Sequence, residues 1–148
     1  MFNLFLLSVM LAIFGYTDLK EHKVYNSRVL TAFIVCVAVG MLTQGVLPTV
    51  VGSVVAFVIT LIAYIVGMIG GGDVKLITAC GAMIGAAQAV ELLKYSVIIG
   101  AVAGIVIIAI KLIRKVPMRE VLKTQTAFVP FCFLGSLILI AENIIYKI

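Results

Sequence analysis

Residues 29–72 read VLTAFIVCVAVGMLTQGVLPTVVGSVVAFVITLIAYIVGMIGGG, 44 consecutive positions without an Asp, Glu, Lys or Arg. A helix needs roughly 20 apolar residues to cross the hydrocarbon core of a bilayer. The run is therefore long enough for two crossings, with Thr43-Gln44-Gly45 and the following Pro48 as the turn between them. The whole chain agrees with its longest run. Of 148 residues, 64% are hydrophobic and 11% charged, against about half and about a quarter in a soluble domain. Mean hydropathy is +1.32. These values exclude an ordinary water-soluble globule, a disordered chain, a secreted disulfide scaffold and a nucleic-acid-binding arm. The length suits one domain, residues 1–148.

Outward from this stretch, further charge-free runs cover 1–17, 76–90, 95–110 and 124–141. The chain thus reads as an all-α membrane bundle of six spans, at about 2–17, 29–43, 48–69, 74–90, 95–113 and 127–146. Helices are the expected element because backbone facing lipid must satisfy its own hydrogen bonds. The fourth span is short, which predicts a helix shielded by its neighbours or starting inside the membrane. The first span lacks the basic n-region and the cleavage site of a signal peptide. Nine basic residues fall in the odd-numbered loops (Lys20, Lys23 and Arg28; Lys75; Lys111, Arg114, Lys115, Arg119 and Lys123), and only Lys94 and Lys147 on the opposite side. The positive-inside rule then predicts odd loops in the cytoplasm and both termini outside. The net charge of +5 reads as topology and contact with anionic lipid.

Few residues offer chemistry. Cys36, Cys80 and Cys132 each lie inside a span and form no CxxC pair, and His22 is the sole histidine. Neither a zinc site nor an HExxH motif can be built, and no GK[ST] phosphate loop is present. No metal and no cofactor is expected. A serine–histidine dyad would have to use His22, in a charged loop. Glu21, Glu91 and Glu120 read as solvated loop residues beside basic partners, and Glu142 as interfacial.

Asp18 and Asp73 differ. The chain crosses once before Asp18 and three times before Asp73, so both carboxylates are predicted on the cytoplasmic side at similar depth. Two carboxylates brought together share a proton, because like charges at close range cannot both ionise. One then activates water as a general base while the other, protonated, donates to the substrate carbonyl. The context of Asp73 is Gly67-Met68-Ile69-Gly70-Gly71-Gly72-Asp73-Val74-Lys75-Leu76. Three glycines remove every Cβ from the approach to the carboxylate and permit positive φ, so that an extended backbone can lie close. Three glycines are also costly within a helix and predict a break. A plain interhelical turn would need one glycine.

Gly70-Gly71-Gly72-Asp73 matches the GxGD motif of intramembrane aspartyl proteases. With Val74-Lys75-Leu76 added, the chain resembles the type IV prepilin peptidases, whose motif commonly reads GxGDxKL. Asp18-Leu19-Lys20 and Asn26 fit that family's Asp, basic residue, and Asn eight positions after the Asp. Pro130-Phe131 is similar to a Pro-Phe pair near the family's C-terminus. Val24-Tyr25-Asn26 stands where the family often has Ile-Pro-Asn. The paired-CxxC cytoplasmic domain of larger bifunctional members is lacking, so N-methyltransferase activity is not expected. The chain looks like the small single-domain peptidases of tight-adherence pilus systems.

The resemblance implies a multi-pass protein of the bacterial cytoplasmic membrane. Its implied activity is aspartic endopeptidase, hydrolysing one peptide bond of a prepilin that carries a short basic leader, a Gly at the cleavage point and a hydrophobic helix. Asp18 and Asp73 are the implied catalytic pair, in contact with each other. Gly70, Gly71, Gly72, Lys75, Asn26 and Pro130 are candidates for binding substrate or supporting the site. Partners would be the prepilin, membrane lipid and pilus assembly machinery, with no nucleic acid. Lys75 either modulates the dyad or snorkels to headgroups. Asn26 either hydrogen-bonds the site or caps the second helix. Gly81 with Gly85 and Gly100 with Gly104 read as close-packing GxxxG pairs. Pro130 reads as a bend in span six, and Tyr16, Tyr25 and Tyr146 as interface anchors. The helix dipole favours the anion at Asp73 and disfavours it at Asp18, provided the first helix ends there. A different class of function, a proton- or ion-coupled transporter with Asp18 and Asp73 as relay carboxylates, is the alternative.

Overall fold

A computed structural model describes residues 2–21, 26–114 and 128–146, apart from the side chains of 17–21, 26–28 and 112. Six helices account for nearly all of them: α1 (Phe2–Glu21), α2 (Asn26–Gln44), α3 (Val46–Ile65), α4 (Gly71–Ile84), α5 (Ala86–Ile113) and α6 (Val129–Ile145). The all-α class is as read from the sequence, and the described residues contain no strand. Two stretches, Val46–Ile65 and Ala86–Lys111, are long and apolar enough to cross a membrane. The apolar stretches Phe2–Tyr16, Val29–Gln44 and Val129–Ile145 are shorter.

Glycines with positive φ set the breaks. Gly45 (φ 91°) separates α2 from α3, as the sequence suggests, but Pro48 lies in the first turn of α3 rather than in the turn itself. There its missing N–H costs nothing, because first-turn donors have no partner inside the helix. Gly85 (φ 81°) alone divides α4 from α5. This corrects the expected boundary between spans four and five. Glu91 and Lys94 are not in a loop. They sit three residues apart on α5 and form an ion pair along it. Pro130 does not bend α6 either. It occupies the first helical turn, where proline is tolerated.

The core centres on α4. Val74, Leu76, Ile77 and all of Ala79–Ile84 are buried, and α4 packs most extensively on α3 and α2. At about 21 Å, α4 is shorter than the roughly 30 Å hydrocarbon core of a bilayer. The expectation of a short helix shielded by its neighbours is met. Glycine makes this approach possible. A Cβ on Gly81 would lie 2.5 Å from the Ala56 Cβ, and one on Gly52 would lie 2.7 Å from the Gly85 Cα. Gly40 meets the Ala82 carbonyl in the same way. Small residues bring helix backbones together where no hydrophobic drive exists between helices. Gly81 and Gly85 therefore both pack closely as read, and Gly85 in addition ends α4. Gly100 faces the Phe131 ring, and a Cβ on Gly104 would meet none of the described residues within 4 Å.

The ends of the helices are tied by side chains. Asn3 Nδ2 donates to Met83 O at 3.0 Å and to Thr43 Oγ1 at 2.7 Å, and Gln44 Nε2 donates to Met83 O at 2.6 Å. These amides satisfy the last carbonyls of α4, which have no partner within the helix. Deeper in the bundle, buried Ser8 donates to Ser136 at 2.9 Å and links α1 to α6.

Candidate active site

Asp73 is the third residue of α4. The chain reaches it through two glycine signals. α3 closes with Gly67 N–H donating to Tyr64 O and Met68 N–H donating to Ala63 O, both at 2.9 Å, with Gly67 at φ 81°. This is a Schellman motif, whose left-handed position favours glycine. α4 then opens at Gly70, which is extended (φ −81°, ψ 154°). The expected positive φ thus falls on Gly67, not on the glycines adjoining Asp73. The break lies at 66–70, and Gly71 and Gly72 belong to the first turn of α4. Gly67 lies in the same glycine-rich stretch as the three adjacent glycines, and it alone of the four has positive φ. The apolar Met68 after it is the companion signal that marks such a helix stop.

Gly70 N–H donates to Asp73 Oδ2 at 3.2 Å, while Asp73 N–H donates to Gly70 O at 3.1 Å. This reciprocal pair holds the carboxylate over the helix start, where negative charge is favoured. Asp73 is half-buried, Gly70 and Gly71 are exposed, and Lys75 is exposed. Among the described residues, a Cβ on Gly71 would meet only the Tyr64 ring edge, at 3.6 Å. Among them, the space on this side of the carboxylate is open to a ligand backbone. Tyr64, absent from the sequence-based candidates, forms one side of it.

Asp18 is on α1, which continues to Glu21. The helix does not end at Asp18, so the dipole argument for that residue fails. The Asp18 and Asn26 side chains and the segment 22–25, with His22 and Tyr25, lie outside the described residues, as do residues 115–127 with Glu120. The placement of the helix is nonetheless informative. Asn3, near the start of α1, bonds Met83, near the end of α4. The far ends of the same two helices carry Asp18 and Asp73. At 1.5 Å per residue, Asp18 lies about 22 Å along α1 from Asn3, and Asp73 about 15 Å along α4 from Met83.

Pro130 sits against α1 just before Asp18. A Cβ on Gly15 would lie 3.6 Å from the Pro130 Cα. Phe131 reaches the other way, onto Gly100 of α5, and meets Phe128 edge to face at 6.5 Å. The Pro-Phe pair thus wedges the start of α6 between α1 and α5. Among the described residues, no group of His, Cys, Asp and Glu is arranged to hold a metal.

The sequence profile of the type IV leader peptidase family matches residues 5–105, about two-thirds of the chain, including both Asp18 and Asp73. The chain belongs to the type IV leader peptidase family. As a member it is a peptidase, a hydrolase of the leader-peptidase kind. The match ends before α6, so the Pro130-Phe131 wedge lies beyond it. No curated protein and no solved structure matches the chain. Membership in a peptidase family gives no support to the transporter alternative.

Proposed function

We propose that this leader peptidase is an intramembrane aspartic endopeptidase of the bacterial cytoplasmic membrane, with six spans, both termini outside and its site at the cytoplasmic side. Its substrate is a prepilin, from which it removes a short basic leader ahead of a hydrophobic helix. The observation that carries the reading is Asp73 at the glycine-lined start of the short central helix. That helix is tied by Met83 to the start of α1, whose later turns carry Asp18.

In the proposed reaction, one carboxylate is ionised and the other protonated. The ionised carboxylate takes a proton from water as the water oxygen bonds to the scissile carbonyl carbon. The protonated one donates its proton to the carbonyl oxygen. The tetrahedral species collapses as one of its hydroxyls returns a proton to the carboxylate that gave one up, the C–N bond breaks, and the departing amine takes up the proton removed from water. Gly70, Gly71 and Gly72 leave room for the substrate backbone. Lys75 and Asn26 support the site from its polar side, and Pro130 seats α6 against α1. Membrane lipid and the pilus assembly machinery are its surroundings.

The test is co-expression with a candidate prepilin, following leader removal by gel shift. Asp18→Asn and Asp73→Asn are each expected to abolish cleavage while the protein still inserts into the membrane. Cleavage retained by either variant refutes the dyad.

A further inference from the structure

A groove of about 680 Å³ runs between α3 and α5, with Phe128 and Phe131 of the α6 entry at one side. Its walls carry small residues: Ala63 on α3, and Gly100 and Ala101 on α5. Among the described residues, only Thr60 and Lys94 contribute polar side chains to it, and both are engaged. Thr60 Oγ1 donates to Ala56 O at 2.7 Å. Lys94 pairs with Glu91 and lies 4.7 Å from the centroid of the Tyr95 ring. The groove therefore suits an apolar ligand and offers little to a polar one. Along α5 it extends from Val90 to Ala101, about 16 Å at 1.5 Å per residue.

Met68 and Ile69 belong to the same lining. Ile69 precedes Asp73 by four residues, so the lining on this side ends next to Gly70, where the glycine stretch that leads to the carboxylate begins. We infer that it receives the hydrophobic helix of the leader-bearing substrate. The inference rests on the peptidase reading above. In such a substrate the scissile bond immediately precedes the apolar helix, so a surface for that helix has to adjoin the carboxylates. A lipid chain imposes no such continuity. Small residues along the walls are also what close helix–helix contact in a membrane requires. The bound helix lies alongside α3 and α5, with its leader end at Gly70–Asp73.

Two synthetic substrates separate this inference from the reading beneath it. One carries a basic leader, a Gly and an apolar helix of about 20 residues; the other stops a few residues beyond the cleavage point. In Ala63→Trp and Ala101→Trp, which fill the groove from opposite walls, kcat/KM for the long substrate is expected to fall about tenfold or more, the scale of losing one or two buried apolar side chains. Cleavage of the short substrate stays within about twofold, too small a change to signify a lost contact. Ile105→Trp, on an exposed part of α5 outside the groove (68% exposed), leaves both rates unchanged. A photo-reactive residue in the long substrate's helix is expected to capture Ile98 or Ala101. Equal losses on both substrates, no loss on either, or capture of lipid alone overturns the inference and leaves the peptidase reading standing. A wild-type protein that cleaves neither substrate overturns both.

Discussion

The backbone N–H of Gly70 donates to Asp73 Oδ2 at 3.2 Å, and a Cβ built on Gly70 would stand 3.3 Å from that same oxygen. The residue that opens α4 thus donates to the carboxylate through its backbone and would press on it through any added side chain.

Gly70→Ala is accordingly expected to keep the fold, since its φ of −81° suits any residue. Its methyl group presses on the carboxylate, so cleavage should drop by about tenfold or more, because small displacements of reacting groups are costly. Parallel measurement of membrane insertion and cleavage checks this, and unchanged cleavage contradicts it.

Gly71→Ala probes the open approach. The added methyl fits against Tyr64 at 3.6 Å without a clash, and Ala is favoured over Gly in a helix. Stability should hold or rise slightly while cleavage falls, because the methyl occupies space reserved for the substrate backbone. An active, equally stable variant would show that no substrate passes there.

The proposed mechanism fixes the sign of the pH dependence. Activity needs one carboxylate ionised and one protonated. It is therefore lost on the acid side, where both are protonated, and on the alkaline side, where both are ionised. kcat/KM against pH should be bell-shaped, with both limbs belonging to the pair and not to one residue. A rate independent of pH across the carboxylate range would remove the dyad.

The α3–α4 contact should be the least tolerant of bulk. Gly81→Leu places a side chain where the Ala56 Cβ already stands 2.5 Å from the position of a Cβ. Overpacking of this kind costs about 1–3 kcal/mol or more. Thermal unfolding in detergent should show the loss, while Gly104→Leu, with open space around it, should leave stability near wild type.

Ser8 and Ser136 should be coupled. Their 2.9 Å bond joins α1 to α6 in the buried interior. A double-mutant cycle with Ser8→Ala and Ser136→Ala is expected to give about 0.6 kcal/mol, and at most about 1.7. A coupling indistinguishable from zero would show that each hydroxyl is satisfied by its own helix, through Leu4 O and Phe133 O.

Much of the fold could be read from the chain because charge is so scarce in it. Apolar runs bounded by charges and glycines indicated six helices, and the break at Gly45 was visible locally. So was a break just before Asp73, through the three glycines that precede it. The corrections have separate physical reasons. Glu91 and Lys94 look like a loop in a linear hydropathy reading, yet one positive-φ residue, Gly85, is enough to turn the chain, and the two charges satisfy each other on the surface of α5. Pro130 looks like a bend until the helix is seen to begin at Val129.

The sequence by itself determined an all-helical chain of unusual apolarity and the family whose motifs it matches. These follow from local composition and spacing. Tertiary structure alone decided that the 14-residue α4 is the hub, that Gly52, Gly81 and Gly40 let its backbone meet those of its neighbours, and that Asn3 and Gln44 tie down its far end. Such contacts join residues about 25 to 80 positions apart. No local pattern specifies them, because they depend on which surfaces meet once every helix has formed.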